Sequence, residues 1–130
     1  RIIETLSHSD SKYQSKDGMD LALCIIDKDK GIVEFAGAYN PLYIVRNEEI
    51  NIYKGDRMPV GLLTGELKPF TSTTVQIHKN DCLYMFSDGY ADQFGGEEGK
   101  KFKIANFKKL LIKISDKSMA EQKKILNERI

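Results

Sequence analysis

Histidine and cysteine are scarce in this chain, two of each in 130 residues, and none of the four stands at a metal-ligand spacing. Cys24 and Cys82 each fall inside an apolar, strand-like run, with no Cys-x-x-Cys and no histidine cluster nearby. The expectation for both is a reduced, buried side chain, and a disulfide only if their two strands are neighbours. His8 and His78 stand alone in polar contexts and read as surface residues. Long apolar runs are also missing. None approaches the roughly 18 residues of a membrane-spanning helix, and no signal peptide is visible. The expectation is a soluble, cytoplasmic chain, although a longer parent could be tethered to a membrane through other parts. Charge of one sign is missing as well: 20 basic against 19 acidic residues leave a net charge of +1, which argues against a polyanion binder. The run Lys100-Lys101-Phe102-Lys103 therefore reads as a solvated face, and no nucleic-acid partner is expected.

What is present suffices for one core. With 41% hydrophobic residues, residues 1–130 are expected to form a single domain of modest stability. Leu21 to Asp27 is an apolar run, Lys28-Asp29-Lys30-Gly31 a polar turn, and Ile32 to Ala36 apolar again, which is a hairpin signature. A second hairpin is predicted from Leu42–Val45 and Ile50–Tyr53 around Asn47-Glu48-Glu49. Asn40-Pro41 marks a turn between the two hairpins. Phe70 to Ile77 and Cys82 to Phe86 supply two further strands about a turn at Lys79-Asn80-Asp81. Six strands in this order suggest an antiparallel meander. Further on, Phe107, Leu110, Leu111 and Ile114 share one helical face that should pack on the sheet. Ser118-Met119-Ala120-Glu121 has the spacing of a capping box opening a last helix.

The chemistry is concentrated in Cys82-Leu83-Tyr84-Met85-Phe86-Ser87-Asp88-Gly89, an apolar strand that delivers a carboxylate and a glycine at its end. A buried strand fixes such a carboxylate, and Gly89 allows close approach of backbone or water to an ion. Taken alone, Asp-Gly is a common turn signal. The longer run Ser87 to Gly96 followed by Lys100-Lys101-Phe102 resembles the type 2C (PPM) metal-dependent serine/threonine protein phosphatases, in their bacterial SpoIIE-like branch. Three more blocks, in the expected order, carry the resemblance: Asp17-Gly18-Met19-Asp20-Leu21-Ala22-Leu23-Cys24, Phe35-Ala36-Gly37-Ala38-Tyr39-Asn40-Pro41-Leu42, and Gly55-Asp56-Arg57-Met58-Pro59-Val60-Gly61.

The resemblance implies an α+β fold, an antiparallel β-sandwich flanked by helices. It also implies hydrolysis of phosphoserine or phosphothreonine on a protein with two Mn²⁺ or Mg²⁺ ions. Asp88 matches the family's metal-binding Asp-Gly, with Gly89 beside it, and Asp92 sits where related proteins carry an acid near the metal. Arg57 is a candidate for substrate phosphate. Asp17 and Asp20 flank Gly18-Met19 and read first as turn and strand-entry residues. The family's N-terminal metal block and C-terminal paired-acid block are not found. The chain therefore reads as the C-terminal part of a catalytic domain, inactive by itself. The implied partners are a phosphorylated, anti-anti-sigma-like regulatory protein and an attached sensor or response-regulator domain. The resemblance allows a homodimer, which no residue pattern here requires. The competing reading is a non-catalytic module that keeps the fold and recognises a phosphoprotein without hydrolysing it.

Overall fold

In the computed structural model, residues 18–61, 69–87 and 100–128 are described. They form six strands and two helices: β1 Leu21–Asp27, β2 Ile32–Ala38, β3 Leu42–Arg46, β4 Glu49–Tyr53, β5 Thr73–Gln76, β6 Cys82–Met85, α1 Lys100–Ile114 and α2 Met119–Glu128. The chain divides into two compact units, one holding residues up to Leu42 together with Lys54–Ile77, the other Tyr43–Tyr53 with His78–Ile130.

The first unit contains a three-stranded sheet in the order β1-β2-β5. β1 and β2 run antiparallel, from Leu21 opposite Ala38 to Asp27 opposite Ile32. Their turn is closed by the Asp27 carboxylate, which accepts from the Asp29 and Lys30 N–H groups at 3.0 and 3.1 Å. Gly31, at φ 65°, supplies the left-handed residue that completes it. β5 lies antiparallel on the other side of β2, with Phe35 opposite Thr73 and Ile32 opposite Gln76. Alternation along β2 sends Val33 and Phe35 inward while Glu34 stays exposed, as the two-residue period of a half-buried strand requires. On β1, Leu23, Ile25 and Ile26 remain exposed.

The second unit holds the sheet β4-β3-β6. β3 and β4 form a hairpin whose two turn residues, Asn47 and Glu48, have φ of 49° and 64°. Positive φ at both positions marks the type I′ turn that matches the twist of paired strands. The predicted helical face is the one buried: Phe107, Leu110, Leu111 and Ile114 cluster with Tyr43 and Val45 of β3 and Cys82 of β6. The last helix opens as the capping spacing predicts, with the Glu121 N–H donating to Ser118 Oγ at 3.2 Å.

Two expectations are corrected. The strands are not one meander, because β5 returns to β2 and β6 joins β3. The cause lies just after β4: Asp56 N–H donates to the Gly37 carbonyl at 2.8 Å, so the chain is drawn to the end of β2, and the next strand adds beside β2. The two cysteines form no disulfide and lie in different sheets. Cys82 is buried, and Cys24 on the outer strand β1 is only half-buried. Among the described residues no helix is long and apolar enough to cross a membrane.

Candidate functional site

Three of the four blocks singled out in the sequence meet in the first unit. Met19 and Val60 exchange two backbone hydrogen bonds, each 2.8 Å, which joins the Gly18-Met19-Asp20 segment to the Pro59-Val60-Gly61 loop. Gly18 is required there, since a Cβ would lie 2.8 and 2.9 Å from Pro59 Cβ and Cγ. The second junction joins the end of β2 to Gly55-Asp56. A Cβ on Gly37 would collide with the Asn40 carbonyl and sit 2.7 Å from Phe35 Cζ, and a Cβ on Gly55 would lie 2.8 Å from the same Asn40 carbonyl.

Asp56 braces this junction. Its carboxylate accepts from the Thr71 N–H at 2.6 Å and from the Thr71 hydroxyl at 2.9 Å. Its own backbone donates to Gly37 and accepts from the Tyr39 N–H, both at 2.8 Å. The sequence-predicted Arg57 follows directly, in an exposed bend. Asp20 is exposed as well, in keeping with a strand-entry role. The sequence reading missed the roles of Asp56, Thr71 and Tyr39. Gly55-Asp56 was visible as a loop signal, but the Thr71 partner lies 15 residues away and left no local trace.

In the second unit, β6 leads toward the Asp-Gly block and is anchored just before it. The Phe86 ring sits edge-on to Tyr43 at 4.8 Å and to Phe107 at 4.7 Å, contacts of roughly 0.5–1.5 kcal/mol each. Asp88, Gly89 and Asp92, the predicted metal residues, lie outside the described residues, as does Asp17. Among the described residues no group of three or more His, Cys, Asp or Glu side chains is placed to hold a metal ion. The described residues therefore do not by themselves compose a metal centre.

The same unit carries an open groove of about 570 Å³ bordered by Glu48, Asn80, Asp81, Asp116 and Lys117. Its inner polar groups are already engaged. Asp81 is gripped by Arg46, and Cys82 Sγ lies 3.2 Å from the Ser115 carbonyl and donates to it.

This assembly of antiparallel sheets and packed helices is the fold of type 2C phosphatase domains. It is similar to the SiaA-PP2C domain of Pseudomonas aeruginosa, with 26% identity and a TM-score of 0.79, over 96% of this chain and 48% of that one. It also shares the fold of the phosphatase domain of the cell fate determinant SpoIIE from Bacillus subtilis, a manganese-presoaked structure, with 19% identity and a TM-score of 0.63, over 97% of this chain and 55% of that one. The chain thus spans about half the length of these solved structures. No curated protein matches it. The family described as Stage II sporulation protein E (SpoIIE) matches residues 1–130, and the chain belongs to that family. It is part of a phosphatase-type domain.

Proposed function

We propose that this chain is part of a metal-dependent phosphatase that removes phosphate from phosphoserine or phosphothreonine of a bacterial signalling protein. The observation that carries the reading is the convergence of the blocks at Gly18, Gly37 and Gly55, three positions where a Cβ would clash with neighbouring residues. Sequence blocks chosen for resemblance to a phosphatase family are the ones that need close backbone approach.

In this reading the Asp88 carboxylate holds a divalent cation, Gly89 keeps the approach to it open, and Asp92 orders the ion's surroundings. Hard cations such as Mn²⁺ or Mg²⁺ favour carboxylate and water oxygens, and a bound pair supplies a water of lowered pKa and takes up charge on phosphoryl oxygens. Arg57 binds the phosphoryl group of the substrate, its planar fork matching two oxygens. The substrate is a phosphorylated regulator of the anti-anti-sigma kind, in the cytoplasm, and an attached sensor or response-regulator domain sets the activity. A homodimer is compatible with that control. The 130-residue chain alone is expected to be inactive.

The test is calorimetric titration of Mn²⁺ into the full-length protein and its Asp88→Asn variant, with turnover of p-nitrophenyl phosphate measured in parallel. Binding of two ions, weakened by the substitution together with loss of turnover, supports the reading. A full-length protein that binds no Mn²⁺ is instead a phosphoprotein-recognition module that has lost the chemistry.

A further inference from the structure

Tyr39 is held in a backbone conformation that its residue type resists. Its φ is 66°, and the Asn40 N–H donates to the Ala38 carbonyl at 2.8 Å. Together these close a three-residue γ-turn of the positive-φ kind, which is rare and strained for a residue with a Cβ. The surroundings leave no escape. Tyr39 N–H is bound to the Asp56 carbonyl, Asp56 is fixed by Thr71, and Gly37 and Gly55 close against the Asn40 carbonyl.

A glycine at this position would relieve the strain. The position instead carries a large aromatic side chain that is 51% exposed, so core packing does not account for it. Backbone strain over-determined by its neighbours is a property of functional sites. The Tyr39 N–H is bound to the carbonyl of Asp56, the residue directly before Arg57, so the backbones of Tyr39 and Arg57 lie side by side, and both residues are exposed.

We infer that Tyr39 and Arg57 form one recognition patch for the phosphorylated segment of a protein substrate, which makes Tyr39 a specificity-determining residue. This rests on the phosphatase reading above. Arg57 supplies the planar donor fork for phosphoryl oxygens. The Tyr39 ring offers a rigid, amphipathic surface for the peptide flanking the phosphoresidue, the kind of side chain that anchors polypeptide partners.

Tyr39→Gly tests the patch cleanly, because it removes the ring and relaxes the backbone together. The full-length variant is expected to melt no lower than the wild type. Hydrolysis of a synthetic phosphoserine peptide is compared with that of p-nitrophenyl phosphate, which has no peptide to recognise. The ratio of the two kcat/KM values is expected to fall about tenfold in Tyr39→Gly, the scale of one interface anchor, and to hold in Tyr39→Phe. An unchanged ratio in Tyr39→Gly overturns the inference. If the wild type hydrolyses neither compound, the phosphatase reading fails and the patch is judged by titration of the same phosphopeptide. An affinity about tenfold lower in Tyr39→Gly then supports it, and equal affinities overturn it.

Discussion

Arg46 grips Asp81 with both ends of its guanidinium, Nε donating to Oδ1 at 2.8 Å and Nη2 to Oδ2 at 2.6 Å. The pair ties the end of β3 to the turn before β6, and the Asp81 side chain is wholly shielded from solvent while Arg46 stays 26% exposed. The His78 N–H adds a further hydrogen bond to Oδ2 at 2.8 Å. The Arg46 hydrogen bond, helped by that of His78 and opposed by desolvation, holds the Asp81 carboxyl below the usual carboxylate range. A depressed folded-state pKa contributes stability above the unfolded pKa and loses it as pH falls through the folded one. Wild-type stability should therefore fall below about pH 4 more steeply than that of Asp81→Asn. Denaturant titrations across the acid range measure this, and parallel curves would remove the pair from the account. At neutral pH, Asp81→Ala should cost about 2 kcal/mol through loss of charge-assisted hydrogen bonds.

Gly37 should be the least replaceable residue of the loop junction. An added methyl meets the Asn40 carbonyl and lies 3.0 Å from Gly55 Cα, both backbone atoms that cannot rotate away. Gly37→Ala is expected to destabilise the first unit by about 3 kcal/mol or more, in the range of overpacked core sites. The measurement is the urea midpoint. A loss below about 0.5 kcal/mol, ordinary for a surface change, would show that the junction yields.

The parts of this fold that were legible in the sequence are those with a local cause. The helical face of Phe107, Leu110, Leu111 and Ile114 follows from the 3.6-residue period, and the start of α2 from the side chain of Ser118. Both hairpins follow from polar turns between apolar runs, although the β3–β4 turn has two central residues, Asn47 and Glu48, and not the three that the polar run suggests. Pairing between distant strands was not legible, because β5 finds its partner in β2, far back in the chain, and no pattern within β5 names that partner. The site divides in the same way. Gly18, Gly37 and Gly55 stood out as glycines within blocks, whereas the Asp56–Thr71 brace and the strain at Tyr39 exist only once the blocks are brought together. Arg57 was legible as a loop cation and is exposed.

Glu48 occupies the second central position of the β3–β4 turn at φ 64°, where a type I′ turn favours glycine. A side chain in that conformation costs roughly 1–2 kcal/mol, and glycine returns part of this through its freer unfolded chain. Glu48→Gly should therefore raise stability by about 0.5–1 kcal/mol. The urea midpoint should rise with an unchanged slope. A lower midpoint would mean that the glutamate side chain makes up for its strained backbone.

Tyr84 on β6 and Gln122 on α2 are joined by a hydrogen bond of 2.7 Å from the phenol to Gln122 Oε1. Gln122 is 2% exposed and uses its other end to donate to the Lys117 carbonyl at 2.9 Å, so the bond satisfies a polar group with no route to water. Tyr84→Phe leaves Oε1 unpaired and should cost about 1–3 kcal/mol. Pairing it with Gln122→Met removes the orphaned acceptor, and the double variant should lose less than the sum of the single ones. The phenol also sets an alkaline limit. Burial, its largest cause, pushes the Tyr84 pKa well above that of a free tyrosine, so the folded state resists an ionisation that the unfolded chain undergoes near pH 10. The contribution is complete below that pH and is lost as pH rises toward the folded value. Stability measured from about pH 9 to 12 should decline less in Tyr84→Phe than in the wild type. Equal declines would assign the alkaline loss to other groups, among them Tyr43, whose phenol is also raised by burial.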